Sequence, residues 1–220
     1  MGKMRMGILD GFVGKVGTVV GAFWKGKKVM RGYNEFPANP KTSKQELQRA
    51  KFGLLASIGG ALLNALHVGM KSYSDLHTST ELGAFMRLNL NKVSGETPEA
   101  LEVDYETLSV SEGRLTAVAL GEVDFSTPLT VSVAVDDNYL DPDFNSADDR
   151  LYLAVYSKTG GEAVLSDGTA KRTSESVSVR VPGYWQGHFV EVYAFMKAAD
   201  SAADPEVCSK TLYCGSGRIA

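Results

Sequence analysis

The spacing of apolar positions changes along this chain and divides it into three stretches. Over residues 7–33, short β-favouring groups (Val16, Val19-Val20, Phe23-Trp24, Val29-Met30) alternate with glycines. That pattern predicts two or three short strands, with a hairpin turn at Lys25-Gly26-Lys27 and Gly26 at positive φ. A piece this small cannot bury its own Phe23 and Trp24 and must pack on something else.

Phe36-Pro37-Ala38-Asn39-Pro40 reads as an extended connector, because residues before proline avoid the helical region. Ser43-Lys44-Gln45-Glu46 then has capping-box spacing. Leu47, Leu54, Leu55, Ile58, Leu62, Leu66 and Met70 recur at three- and four-residue steps, which predicts one helix to about Met70. Gly53, Gly59, Gly60 and Gly69 weaken that helix and allow another backbone to come close. A second box, Thr78 to Glu81, opens a shorter helix through Phe85, Met86, Leu88 and Leu90, and Asn91 to Pro98 reads as a linker.

From Glu99 the period becomes two, clearest in Val131-Ser132-Val133-Ala134-Val135 and Val177-Ser178-Val179-Arg180-Val181. Strands are expected at 102–110, 114–120, 128–135, 150–157, 175–181, 188–197 and 207–214. Seven short strands with Trp185 in their core point to an immunoglobulin-like β-sandwich. The expected fold is therefore α+β and mostly β. It has a basic hairpin arm at 1–41, a helical segment at 42–97 and a sandwich at 98–220.

Charge sharpens the first boundary. Residues 1–51 hold eleven Lys and Arg against three Asp and Glu, a net +8, whereas the remaining residues hold twelve against twenty-three, a net −11. The whole-chain value of −3 hides this asymmetry, which favours head-to-tail association of copies. Lys25, Lys27, Lys28 and Arg31 lie among Phe23, Trp24 and Tyr33, a mixture that also suits nucleic acid. The acidic body opposes a polyanion, so a protein surface is the expected partner.

Other motifs carry less. Gly14, Gly17 and Gly21 fit neither nucleotide-binding pattern and read as turn and packing glycines. Asp136, Asp137, Asp141, Asp143, Asp148 and Asp149 fall within fourteen residues, so they form an acidic loop with oxygen ligands of the kind Ca²⁺ takes, although the spacing is not that of an EF-hand. The same loop would serve as a docking surface for the arm, and no other cofactor is expected. His67, His77 and His188 show no metal spacing, and no nucleophile elbow is present, so an enzyme is not expected. Trp185 would serve either as a core residue or as a carbohydrate platform. Cys208 and Cys214 would stand roughly 20 Å apart on an extended strand and read as free thiols. Asn64, His67 and the glycines interrupt the longest apolar stretch, Phe52 to Met70, so no membrane-spanning helix is expected. No secretory signal is seen, which implies synthesis in the cytoplasm.

Several of these elements recur in a fixed order. Gly14-Lys15-Val16-Gly17, Val19-Val20-Gly21, Trp24-Lys25-Gly26 and Arg31 are followed by Pro40-Lys41-Thr42, Gln45, Arg49 and Phe52. With Pro182, Trp185, Gly187 and the strand around Tyr193, the chain resembles an uncharacterised Bacteroidota family. In that family a hairpin and a helix start precede a β-rich half. The resemblance implies a fold and no catalytic residues, and the Cys208/Cys214 pair departs from the family pattern. By analogy, the layout looks like a subunit of a phage virion or an extracellular filament.

The expectation is a self-assembling structural subunit of a filament, ring or virion. Its arm would dock on a neighbouring copy through Val16, Val19, Val20, Phe23, Trp24, Lys25, Lys27, Lys28 and Arg31. Other virion or surface proteins are further expected partners. The competing expectation is a binding module for glycan or protein, with the arm folded on its own body.

Overall fold

A computed structural model describes residues 2–3, 13–24, 26–36, 41–77, 79–137, 146–199 and 207–220. The chain forms two compact units, Met1–Thr42 and Ser43–Ala220.

The first unit is a small antiparallel sheet. Its strands are β1 (Gly2–Lys3), β2 (Gly14–Val16), β3 (Val19–Trp24) and β4 (Lys27–Gly32), in the spatial order β1-β4-β3-β2. Two tight turns make it possible. Gly17 (φ +58°) lets Val16 pair with Val19, and Gly26 (φ +73°), the position expected to take positive φ, lets Trp24 pair with Lys27.

Among the described residues, the second unit opens with four helices. The expected single helix to Met70 is instead α1 (Ser43–Ala61) and α2 (Leu63–Gly69), which meet at 79°, followed by α3 (Lys71–Leu76). The first bend follows Gly59-Gly60, where helix propensity is lowest, and the second follows Gly69. Leu62 and Met70 stand at the two corners and are buried. Bending thus lets one apolar stripe follow a curved surface. In α4 (Glu81–Asn89) the cap is Thr80, whose Oγ1 accepts from Gly83 N at 3.1 Å, in place of the expected Thr78, which lies outside the described residues.

The strands that follow are β5 (Val93–Ser94), β6 (Glu102–Val103), β7 (Ala119–Asp124), β8 (Thr130–Asp137), β9 (Arg150–Ser157), β10 (Glu162–Leu165), β11 (Ser176–Arg180), β12 (Phe189–Lys197) and β13 (Leu212–Arg218). They form antiparallel sheets β10-β9-β12-β13, β11-β8-β7 and β5-β6. The expected strand at 102–110 shrinks to β6, because side chains satisfy the backbone beyond it: Asn89 bonds Ser109, and Thr211 Oγ1 accepts from Val110 and Ser111. The strand expected at 114–120 lies at 119–124, and β10, paired with β9 across the Gly160-Gly161 turn, was not anticipated.

The β10-β9-β12-β13 sheet is covered on both faces. One face, with Ala154, Tyr156, Tyr193 and Phe195, packs on Leu55, Ile58, Leu66 and Phe85 of the helices. The other, with Leu153, Val155, Val192 and Ala194, shares a core with Val131, Val133, Val177 and Val179 of β8 and β11, and with Trp185. Covering on both faces explains why β12 is buried from Val190 to Met196 without alternation. The architecture is α+β with several antiparallel sheets. Among the described residues, no single helix is long and apolar enough to cross a membrane.

Candidate functional site

Strand pairing sorts the arm's side chains. Trp24 lies opposite Lys27 and Val20 opposite Arg31, while Phe23 lies opposite Lys28. Successive side chains alternate faces, so Val20, Trp24, Lys15, Lys27 and Arg31 share one face. Val16, Val19, Phe23, Lys28 and Met30 share the other. Phe23 and Trp24, adjacent in sequence, therefore point to opposite sides of the sheet. They are 56% and 55% exposed, and Val16 is 61% exposed, whereas Val19 and Val20 are half-buried and Val29 is buried. Lys15 Nζ sits 3.5 Å from the Tyr33 ring centroid, a cation–π contact. Lys25 lies outside the described residues.

The aspartate-rich stretch divides into parts with different partners. Asp136 is exposed on β8, and its carboxylate lies so close to Gly121 that a Cβ there would meet Oδ1 at 2.8 Å. Asp137 ends β8, and Asp141 and Asp143 lie outside the described residues. Asp148 is exposed and bonded at 2.7 Å to Lys171, which holds its carboxyl below the usual range. Asp149 is buried against Arg172, and its oxygens also accept from Ser146 N (2.9 Å) and Ala199 N (3.0 Å). Both Asp148 and Asp149 are thus engaged by cationic side chains. Among the described residues, no group of three His, Cys, Asp or Glu converges as metal ligands would.

Trp185 is fully buried, so it offers no ring face to a sugar, and its Nε1 donates to Glu162 Oε2 at 3.3 Å. Tyr184, 65% exposed, donates to the same oxygen at 2.6 Å, and these two bonds hold the Glu162 carboxyl below its usual range. Ser157 Oγ lies 3.0 Å from His188 Nδ1 and accepts from Gly160 N at 2.9 Å. Ser157 is fully buried. This Ser–His pair therefore builds the β9–β10 turn and presents no nucleophile to solvent. His67 Nδ1 stands 3.9 Å from Glu81, and His77 packs on Tyr73. Cys208 and Cys214 form no disulfide among the described residues; burial pushes the Cys214 thiol up to about 12. An apolar groove of about 450 Å³ opens between α1 and α4, lined by Phe52, Ala56, Leu82, Met86 and Leu90.

A family model, described as a family of unknown function (DUF6266), matches residues 11–211. The chain belongs to the DUF6266 family. The match begins between β1 and β2 and ends just before β13, so it covers most of each compact unit. No curated protein matches the chain.

The chain also assembles a cluster that sequence reasoning missed. Glu191 is buried on β12, with Oε1 accepting from Lys158 Nζ (3.0 Å) and Oε2 from the Tyr213 hydroxyl (2.7 Å). Lys158 Nζ also lies 4.4 Å from the centroid of Tyr105, whose ring stacks on Tyr156, and the Tyr193 hydroxyl donates to Tyr105 O. Burial pushes Tyr156 up to about 12, and burial with the Glu191 hydrogen bond does the same to Tyr213. These phenols are held neutral at ordinary pH, which suits a structural cluster and not proton transfer. The sequence signal was Glu191 itself, a lone charge within the apolar run from Phe189 to Met196.

Proposed function

We propose that this chain is a non-enzymatic structural subunit that self-assembles, as a filament, ring or phage virion component, by docking its N-terminal arm on a neighbouring copy. In this reading the paired sheets form an immunoglobulin-like sandwich that serves as the body of the subunit. One observation carries the proposal: a sheet that is compact by itself leaves both Phe23 and Trp24 more than half exposed. Burying aromatic and β-branched side chains contributes about 1.5–3 kcal/mol each, so the arm retains enough apolar area to help offset the entropy of association. Lys27, Lys28 and Arg31 would set register and encounter rate against an acidic surface more than they would add affinity.

A second reading, a glycan- or protein-binding module, draws support from Tyr184, whose exposed ring stands beside the Glu162 carboxylate. Removing residues 1–33 separates the two. Self-assembly requires that the truncated chain lose the oligomeric state of the full chain. If that state is unchanged, the docking role of the arm is wrong.

A further inference from the structure

The remaining question is where on the neighbour the arm would dock. The sheet edges of the second unit differ in how they are protected. Edge strand β7 is irregular in its pairing with β8 and packs beside β13, and β10 lies against α1 and α2. Edge strand β11 packs on β9, but its pairing carries no irregularity and, among the described residues, no helix lies along it. Its register with β8 is regular from Ser176 to Arg180, and it contains no proline. Its outward side chains include two serines, small enough to leave the backbone approachable.

The hydrogen-bonding phase of β11 is fixed at both ends. Val135 N donates to Glu175 O, and Val181 N donates to Leu129 O. Hydrogen-bonded pairs recur every second residue in an antiparallel ladder, so Val177 and Val179 exchange bonds with β8. Ser176, Ser178 and Arg180 then direct their backbone N–H and C=O groups away from the sheet. Among the described residues, nothing pairs with them. A polar slot of about 270 Å³ runs along this edge, lined by Ser176, Val177 and Ser178 on one side and by Asp167, Thr169 and Ser174 on the other.

The arm presents a matching edge. Among the described residues β2 is the outer strand of its sheet, and the two-residue turn at Gly17-Thr18 makes Val16–Val19 and Gly14–Gly21 the hydrogen-bonded pairs. Lys15 therefore turns its own N–H and C=O outward.

We infer that the outer edge of β11 accepts strand β2 of a second copy, antiparallel, with Lys15 facing Ser178; this rests on the self-assembly reading above. The register is self-consistent on both faces. Val16 and Gly14 fall against Val177 and Val179 on the apolar side. Lys15, Lys27 and Arg31 continue the outer face that carries Asp124 and Asp136, with Asp167 across the slot. Arg180, two residues along β11 from Ser178, lies on the same face at the end of the strand. Because a β2 edge meets a β11 edge, the contact is heterologous and propagates head to tail.

Ser178→Pro tests this cleanly. The N–H it removes points away from β8, so the internal ladder keeps its bonds while an incoming strand loses one and meets the ring. Ser178→Lys is the companion variant, repelling a basic strand without altering the backbone. Both are expected to sediment as monomers at concentrations where the unmodified chain is assembled, with unchanged far-ultraviolet dichroism. Lys15→Cys together with Ser178→Cys is expected to give a covalent ladder on oxidation, which neither single variant gives. If the chain assembles and both Ser178 variants assemble equally well, with no ladder from the double variant, the β11 acceptor is wrong while the self-assembly reading survives. A full chain that stays monomeric at all concentrations overturns both.

Discussion

Arg172 and Asp149 form an ion pair from which water is excluded. Arg172 Nε donates to Asp149 Oδ2 across 3.2 Å, with the two side chains 0% and 2% exposed. Arg172 Nη2 also donates to Thr116 O, and its backbone N–H donates to Asp149 O. The pair thus ties the start of β9, the segment before β11 and the chain ahead of β7 into one knot. Removing one partner breaks a buried ion pair, which costs about 3–5 kcal/mol.

Asp149→Ala is therefore expected to lower unfolding free energy by about 3–5 kcal/mol. Asp148→Ala, which removes an exposed carboxylate bonded to Lys171, is expected to cost far less. Urea titration of both variants checks this. Equal effects would contradict the assignment of the buried pair as the structural one.

The helix glycines are expected to separate by sign. A Cβ on Gly69 would stand 2.9 Å from Val110 O, a backbone atom, and one on Gly59 would stand 2.6 Å from Leu82 Cδ1. Gly53 and Gly60 face open space. Gly53→Ala and Gly60→Ala should each stabilise by up to about 1 kcal/mol, whereas Gly69→Ala should destabilise. Thermal melts decide it; a stabilising Gly69→Ala would mean that α2 does not press on residues 110–111.

Alkaline pH is expected to unfold the chain through its tyrosines. Tyr156 and Tyr213 titrate near 12 in the folded protein, raised chiefly by burial, against about 10 when unfolded. The folded state holds these protons more tightly, so their contribution is complete below pH of about 10 and is lost as pH rises from there towards about 12. Melting temperature should fall across that window, and less steeply for Tyr156→Phe. A flat profile would contradict the buried cluster around Glu191.

Both thiols are expected to resist modification. Cys208 is buried and its Sγ donates to Val68 O at 3.3 Å, while burial holds the Cys214 thiol protonated. An aromatic disulfide reagent should label neither within minutes in the native protein and both in urea. A fast-reacting equivalent would place one of them at the surface.

What was legible in the sequence was local. Alternation in β8 and β11 and apolar, β-favouring runs in β9 and β12 located these strands to within two residues, and Gly26 marked its turn. The bend at Leu62 was not legible, because Leu62 continues the helical period and only the curved surface beneath it requires a break. The strand expected at 207–214 lies at Leu212–Arg218, where Gly217 makes room for the Phe125 ring, which a Cβ would meet at 2.4 Å. The candidate surface was legible as residue types only. That Phe23 and Trp24 face opposite ways depends on pairing between β3 and β4, and that Asp149 belongs to Arg172 depends on a contact across twenty-three residues of chain.

The central claim is that a second copy covers the arm. The two tryptophans report on it directly, since Trp185 is fully buried and Trp24 is 55% exposed within one chain. Acrylamide quenching of tryptophan emission should be followed across a dilution series, with mass measured by sedimentation at each point. If the arm docks on a neighbour, emission is protected while the chain is assembled, and one quenchable component, lost in Trp24→Phe, emerges as the mass falls to that of a monomer. A Trp24 component equally quenchable at every concentration and mass would contradict the account.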